Sequence, residues 1–247
     1  MSMVIEIKEK AIWENRLKQL SGSIFLLEWW WGEFQKSSGR EVYRLVWEKD
    51  GKARAVAKVF FQPFFGQVGD GIAMRCPLYA EDITREEQVQ IEQELAAWCA
   101  GDHRKQKWIF WRFEPLQELE AEFFGASKIP TRQPQTTLLL EISRNSEIVL
   151  QEMHEKTRFN IRLSLKKDLV CRVIPAVEVT REVFDAFWGL MGETGERAGI
   201  RSHKKEYYRQ LFSVASLEQA KGVNLVLVSK ENQVLAAGVF IGSGDTL

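Results

Sequence analysis

The sequence is short of the residues from which several kinds of site are built. Of its 247 residues only three are cysteine, Cys76, Cys99 and Cys171, and no two of them form a CxxC pair. An odd, dispersed set of this kind argues against a disulfide framework. Cys99 and Cys171 also have no catalytic partner close in sequence, which argues against a thiol nucleophile. The three histidines, His103, His154 and His203, lack metal-ligand spacing, so no metal site is expected. An excess of one charge is absent too, with 34 basic and 34 acidic side chains. A protein that coats nucleic acid non-specifically is usually basic overall, so that class is disfavoured. A local cationic patch that holds a few phosphates stays open. Long apolar runs are missing: stretches such as Ile24–Leu27 and Val234–Ile241 are far too short to span a bilayer. Residues 1–10 alternate in charge and contain no apolar stretch, so a signal peptide is not expected and the chain reads as cytoplasmic.

Aromatic residues, by contrast, are plentiful, with nine tryptophans and fifteen phenylalanines. Such side chains bury much area each, and 247 residues comfortably allow two domains. The first third reads as alternating strand and turn, with Glu41–Glu48 and Ala53–Phe61 as a hairpin around Lys49-Asp50-Gly51-Lys52 and the second strand stopping before Pro63. Thr84-Arg85-Glu86-Glu87 matches a capping box and opens a helix to about Ala100. Lys107–Phe113 reads as a strand, Leu116–Phe124 as a helix, Gly125–Pro134 as a loop and Thr136–Ile142 as a strand. Asn145 or Ser146 caps a helix to Met153, and further helical turns run from His154 to Lys167. Strand Val170–Pro175, helices Thr180–Arg197 and Ser202–Ala215, and the hairpin Val223–Ser229 with Val234–Ile241 complete the pattern. Strands and helices thus recur in the same order twice, an α/β arrangement with a change near residue 144. The chain stops directly after a strand, so it is expected to be truncated.

The richest charge pattern lies in the His154–Lys167 helix. Leu150, Met153, Thr157, Ile161 and Leu165 fall at core spacing. His154, Arg158, Arg162 and Lys166 succeed one another at i+4 along an adjacent stripe, flanked by Lys156 and Lys167. Like charges so placed cost roughly 0.2–0.5 kcal/mol per pair in an isolated helix. Two explanations are open: a solvated face with Glu155 and Asp168 as counterions, or a phosphate-binding surface of arginine forks and lysines. The run Trp29-Trp30-Trp31 likewise serves either stacking on a sugar or base, or the core.

The segment Pro134-Gln135-Thr136-Thr137-Leu138-Leu139-Leu140-Glu141, followed by Met153-His154-Glu155-Lys156-Thr157-Arg158-Phe159-Asn160-Ile161-Arg162-Leu163-Ser164 and Lys166-Lys167, resembles the Fem family. These are the aminoacyltransferases that build the interpeptide bridge of peptidoglycan. Trp31-Gly32-Glu33-Phe34-Gln35-Lys36 is similar to the family's early tryptophan–lysine motif. Glu196-Arg197-Ala198-Gly199-Ile200, His203 and Tyr207-Tyr208 are similar to its Arg-x-Gly-Ile…His…Tyr-Tyr stretch. The resemblance spans nearly the whole chain from about residue 22, with the motifs in the family's order.

It implies two GNAT-like α/β domains with mixed sheets flanked by helices, 1–144 and 145–247, the second incomplete. The implied reaction moves an amino acid from aminoacyl-tRNA to a stem-peptide amine of a UDP-linked or lipid-linked muropeptide, without cofactor. A lipid-linked acceptor implies peripheral membrane contact. The family's pyrophosphate-binding lysine maps to Gln35 or Lys36, and Lys36 is expected to serve. The matching arginine maps near His203, with Arg201 two residues earlier and Tyr207 nearby. Glu114 matches an acidic position close to the acceptor amine, as a catalytic group; a plain strand-end carboxylate is the alternative. Lys156, Arg158, Arg162 and Lys166 are the expected contacts to tRNA phosphates. A lysine–phenylalanine pair of the family's C-terminal region has no counterpart here, so the fragment is open to being inactive. Two rivals remain. An acyl-CoA-dependent GNAT-type N-acyltransferase needs a Gln/Arg-x-x-Gly-x-Gly/Ala loop before a helix, and none is present. A non-catalytic tRNA- or precursor-binding protein is the other.

Overall fold

The computed structural model describes residues 3–22, 24–66, 68–101, 107–116 and 140–243, together with residues 119, 127, 129 and 136. The helix expected over 116–124 and the loop over 125–134 lie almost wholly outside these residues. So does most of the strand expected over 136–142, and its described residues 136 and 140–142 are not in a strand.

The chain is a mixed α/β protein with two sheets. In the first, β1 (Met3–Glu6), β2 (Glu41–Lys49), β3 (Lys52–Phe65), β4 (Val68–Met74) and β6 (Lys107–Glu114) lie in that order, and the short β5 (Leu78–Tyr79) pairs with β3. Every pairing is antiparallel except β4 with β6, which run parallel. A parallel pair needs a long crossover, and α3 (Arg85–Ala100) lies within it. The expected capping box is present: Thr84 accepts from the Glu87 amide, and the Glu87 side chain accepts from the Thr84 amide.

Two expectations for this region fail. Strand β3 continues through Pro63, because the proline sits where the pairing with β4 is irregular and no ladder donor is required of it. The first third was expected to be strand and turn, yet it holds two helices, α1 (Lys10–Leu17) and α2 (Trp29–Ser37). Three consecutive tryptophans and a glycine hide the helical period of α2.

The second sheet is antiparallel, in the order β7 (Val170–Pro175), β8 (Val223–Lys230), β9 (Gln233–Ile241). With it go α4 (Ser146–Glu152), α5 (Glu155–Ser164), α6 (Arg181–Ala198) and α7 (Lys205–Leu217). Asn145 caps α4 by accepting from the Glu147 amide at 2.8 Å. Gly199 ends α6 in the left-handed conformation, φ 65°, which favours glycine.

Two apolar cores accompany the sheets. The first gathers Trp13, Leu45, Trp47, Val59, Ile91 and Leu95, and the second Phe184, Phe187, Leu211, Phe212 and Leu225. Each such side chain contributes about 1.5–3 kcal/mol by leaving water. Helix α2 belongs to both cores: Trp29 packs against the first, while Trp30 and Phe34 are buried in the second. The tryptophan run is therefore core, and it ties the two sheets together.

Candidate functional site

Alternation along the strands divides the first sheet into unlike faces. Tyr43, Leu45, Ala57, Val59 and Ala73 lie on the side packed by α3. Arg44 on β2, Lys58 and Gln62 on β3, Asp70 on β4, and Arg112 and Glu114 on β6 lie on the other. Their register follows the pairs Arg44↔Lys58, Gln62↔Asp70, Asp70↔Phe110 and Met74↔Glu114. Helix α2 covers part of this polar face. Lys58, 1% exposed, donates to the carbonyls of Leu26 at 3.1 Å and Glu28 at 2.5 Å, just before α2 begins. Burial, and then Arg44 nearby, holds its ammonium well below the ordinary lysine range. Arg44, 2% exposed, donates to Glu33 at 2.7 Å and stacks 3.6 Å from the Trp29 ring centre. Gly32 leaves room for it, since a Cβ there would stand 2.3 Å from Arg44 Nη2.

Not all of this face is internally satisfied. Asp70 is 3% exposed and makes no hydrogen bond through Oδ1. Arg112 Nε, Glu114 Oε2 and, on α2, Gln35 Nε2 are also buried without a partner. Leaving a buried polar atom unpaired costs about 1–3 kcal/mol, and with Arg44 Nε there are five such atoms around this face, open to a ligand.

The α2 motif meets the α7 motif here. The Phe34 and Tyr207 rings lie 4.8 Å apart, and His203 stacks on Tyr207 at 4.0 Å. Burial raises the Tyr207 phenol, while Gln35 and Arg40 act in the opposite direction. Arg40 donates to the side chains of Gln35 and Gln62. Lys10 on α1 donates to Glu218 at 2.7 Å, a second tie between the two parts of the chain.

The residues singled out in the sequence fall in three places. Gln35, His203 and Tyr207 come together at the α2–α7 contact, whereas Lys36 turns to Glu33 and the Trp29 ring on another side of α2. Lys36 is exposed and bonded to Glu33 at 2.8 Å. Burial pushes the Glu33 carboxyl up, but Lys36 and Arg44 outweigh it and leave it below its usual value. Arg201 is exposed. Glu114 lies at the far end of the polar face, its carbonyl accepting from the Arg75 amide at 2.6 Å.

Lys156, Arg158, Arg162 and Lys166 lie apart, on and just beyond α5. No residue of that helix is buried, and Thr157 and Leu165, expected in a core face, are exposed. Arg158 differs from its neighbours. Its guanidinium donates to the Gln151 carbonyl at 3.0 Å and the Met153 carbonyl at 2.5 Å, closing the end of α4. His154 caps α5, accepting from the Lys156 amide at 3.2 Å. Among the described residues no group of three or more His, Cys, Asp or Glu is placed to hold a metal, and no helix is long and apolar enough to cross a membrane.

Arg40, Arg44, Lys58, Gln62 and Asp70 were not singled out in the sequence. The available signal was a polar side chain facing one side of each strand among apolar neighbours: Arg44 beside Leu45-Val46-Trp47, Lys58 and Gln62 on either side of Val59-Phe60-Phe61, and Asp70 before Gly71-Ile72-Ala73.

The family model described as "FemAB family" matches residues 88–220, just over half of the chain. The solved structure "Crystal structure of FemX" shares the fold, with a TM-score of 0.69 at 18% sequence identity. The match covers 92% of this chain and 57% of that one, so this chain spans less than two thirds of the FemX chain. No curated protein sequence matches.

Proposed function

The chain belongs to the FemAB family, and from that premise we propose that it is an aminoacyltransferase acting in peptidoglycan interpeptide-bridge formation. Its donor is aminoacyl-tRNA and its acceptor a stem-peptide amine. The observation that carries this is the meeting of Gln35 and Phe34 with Tyr207 and His203, beside a sheet face whose Asp70 and Glu114 carboxylates have buried oxygens without partners. A cationic amine supplies what those oxygens lack.

The acceptor nitrogen attacks the ester carbonyl of the aminoacyl-tRNA. A C–N bond forms, the C–O bond to the tRNA ribose breaks, and the ribose leaves as an alcohol. The bound ammonium first gives one proton to solvent; Glu114 takes the second as the amine attacks and returns it to the departing ribose oxygen, while Asp70, four residues along the strand pair, holds a further donor of the acceptor. Because the ester is already activated, most of the acceleration comes from alignment and from donors to the oxyanion. Arg201, His203 and Tyr207 line the acceptor from the second half. Lys156, Arg162 and Lys166 meet tRNA phosphates, while Arg158 mainly shapes the α4–α5 corner. The two sheets are the cores of two GNAT-like domains, 1–144 and 145–247, with α2 lent by the first to the second. The acceptor is UDP-linked or lipid-linked. The donor places the reaction in the cytoplasm, and a lipid-linked acceptor would bring the protein to the membrane surface.

The test is incubation of the protein with charged tRNA and each class of muropeptide. Amino-acid transfer that Glu114→Gln lowers by about tenfold or more is expected. Turnover of an acyl-CoA with no transfer from any tRNA would replace this function by that of an N-acyltransferase.

A further inference from the structure

Arg40 stands between α2 and β2, half-buried, and its bonding sets it apart from Arg44 and Lys36. Nε donates to Gln62 Oε1 at 2.6 Å and Nη1 donates to Gln35 Oε1. Both acceptors are neutral carboxamides. Among the described residues no carboxylate lies within ion-pair distance of it, whereas Arg44 and Lys36 both pair with Glu33. Asp70, opposite Gln62 in the register, makes no ion pair with it either. Among the described residues the third guanidinium nitrogen, Nη2, has no hydrogen bond. Close by, Gln35 is fully buried with its Nε2 unpartnered, and Tyr207 feels the Arg40 charge.

Arg40 and the buried Gln35 that orients it sit where α2 meets the His203–Tyr207 stack. A guanidinium oriented by neutral groups keeps its full charge for an incoming anion, while one bound to a carboxylate does not. Gln35 is one heavy atom shorter than a lysine. The Arg40 charge lies at hydrogen-bonding distance beyond the Gln35 oxygen, in the region that the ammonium of a lysine at position 35 would reach.

We propose that Arg40, oriented by Gln35 and Gln62, is the anion-binding cation beside the α2–α7 contact, taking a phosphate or carboxylate oxyanion of the ligand in place of Lys36. As a statement about the acceptor it rests on the function proposed above. As a binding site it is measured independently of transfer.

Isothermal titration of the full chain with inorganic pyrophosphate, and separately with N-acetylalanine, distinguishes the two oxyanion sources by which one the wild type binds. Arg40→Gln is expected to weaken that binding about tenfold or more. Gln35→Lys combined with Arg40→Gln, which moves the charge across the shared hydrogen bond, is expected to restore it to within about threefold. Circular dichroism checks folding, and if Arg40→Gln alone does not fold, the double variant decides: a folded protein that does not bind overturns the proposal. It is also overturned if the wild type binds neither probe, if Arg40→Gln binds like the wild type, or if Lys36→Gln loses binding that Arg40→Gln keeps. Loss of binding in Arg40→Gln together with absence of transfer by the wild type would sink the proposed function and leave the anion site standing. Transfer with Arg40-independent binding would do the reverse.

Discussion

Helix α5 and the sheet face beneath α2 carry positive charge under opposite conditions. On α5 the cations project from a helix with no buried residue, whereas Arg44 and Lys58 are 2% and 1% exposed. An exposed lysine or arginine gives up little hydration, and its pairings are worth about 0–1 kcal/mol. A buried one must be matched by acceptors of fixed geometry or be neutralised. The α5 stripe is therefore the more visible feature in sequence and the less constrained in structure. The face beneath α2 is nearly silent in sequence, yet every charge on it is either matched closely or conspicuously unmatched.

If that contrast is right, substitutions in the two regions should differ sharply in their effect on stability. Gly32→Ala drives a methyl group into Arg44, which cannot swing away because Glu33 and the Trp29 ring hold it. A loss of about 2–3 kcal/mol is expected from such overpacking, read from the urea midpoint. An unchanged midpoint would mean that the Arg44 packing is loose and the contrast overstated. Arg158→Ala should cost less, about 1 kcal/mol, through the carbonyls of Gln151 and Met153 that it leaves uncapped at the end of α4. A loss as large as that of Gly32→Ala would make α5 structural rather than an idle or ligand-facing helix.

Glu87, outside both regions, gives a reference for an ordinary surface network. Hydrogen bonds from Arg54 and then Lys49 hold its carboxyl down to about 2. A carboxyl lowered on folding adds stability that is present above its ordinary value of 4.5 and is lost as pH falls from there through about 2. Glu87→Gln should flatten that acid limb in melting temperatures recorded across the range. Equal slopes in the two proteins would show that the network adds nothing.

Much of the fold was legible because each signal was local. The Thr84–Glu87 box, the Asn145 cap and the strand Val170–Pro175 rest on a few neighbouring residues. Helix α2 was not legible, because its period is masked by aromatics that face two different cores at once. For the site, the motifs around Lys36 and Tyr207 were visible singly. Their meeting depends on α2 packing against α7 across about 170 residues of chain, a distance over which no periodicity speaks. The shift of attention from Lys36 to Arg40 has the same cause. The acceptors that orient Arg40, Gln35 on α2 and Gln62 on β3, lie on different elements, whereas Glu33 engages Lys36 from one turn away on α2 itself.

The central claim is that the muropeptide is held beneath α2 and against α7, not along α5. Titration of a soluble muropeptide into the wild type, Asp70→Asn and the pair Arg162→Ala with Lys166→Ala tests it directly. The account predicts at least about tenfold weaker binding for Asp70→Asn, roughly 1.4 kcal/mol, and no change for the α5 pair. Wild-type affinity in Asp70→Asn, with binding lost in the α5 pair, would contradict it.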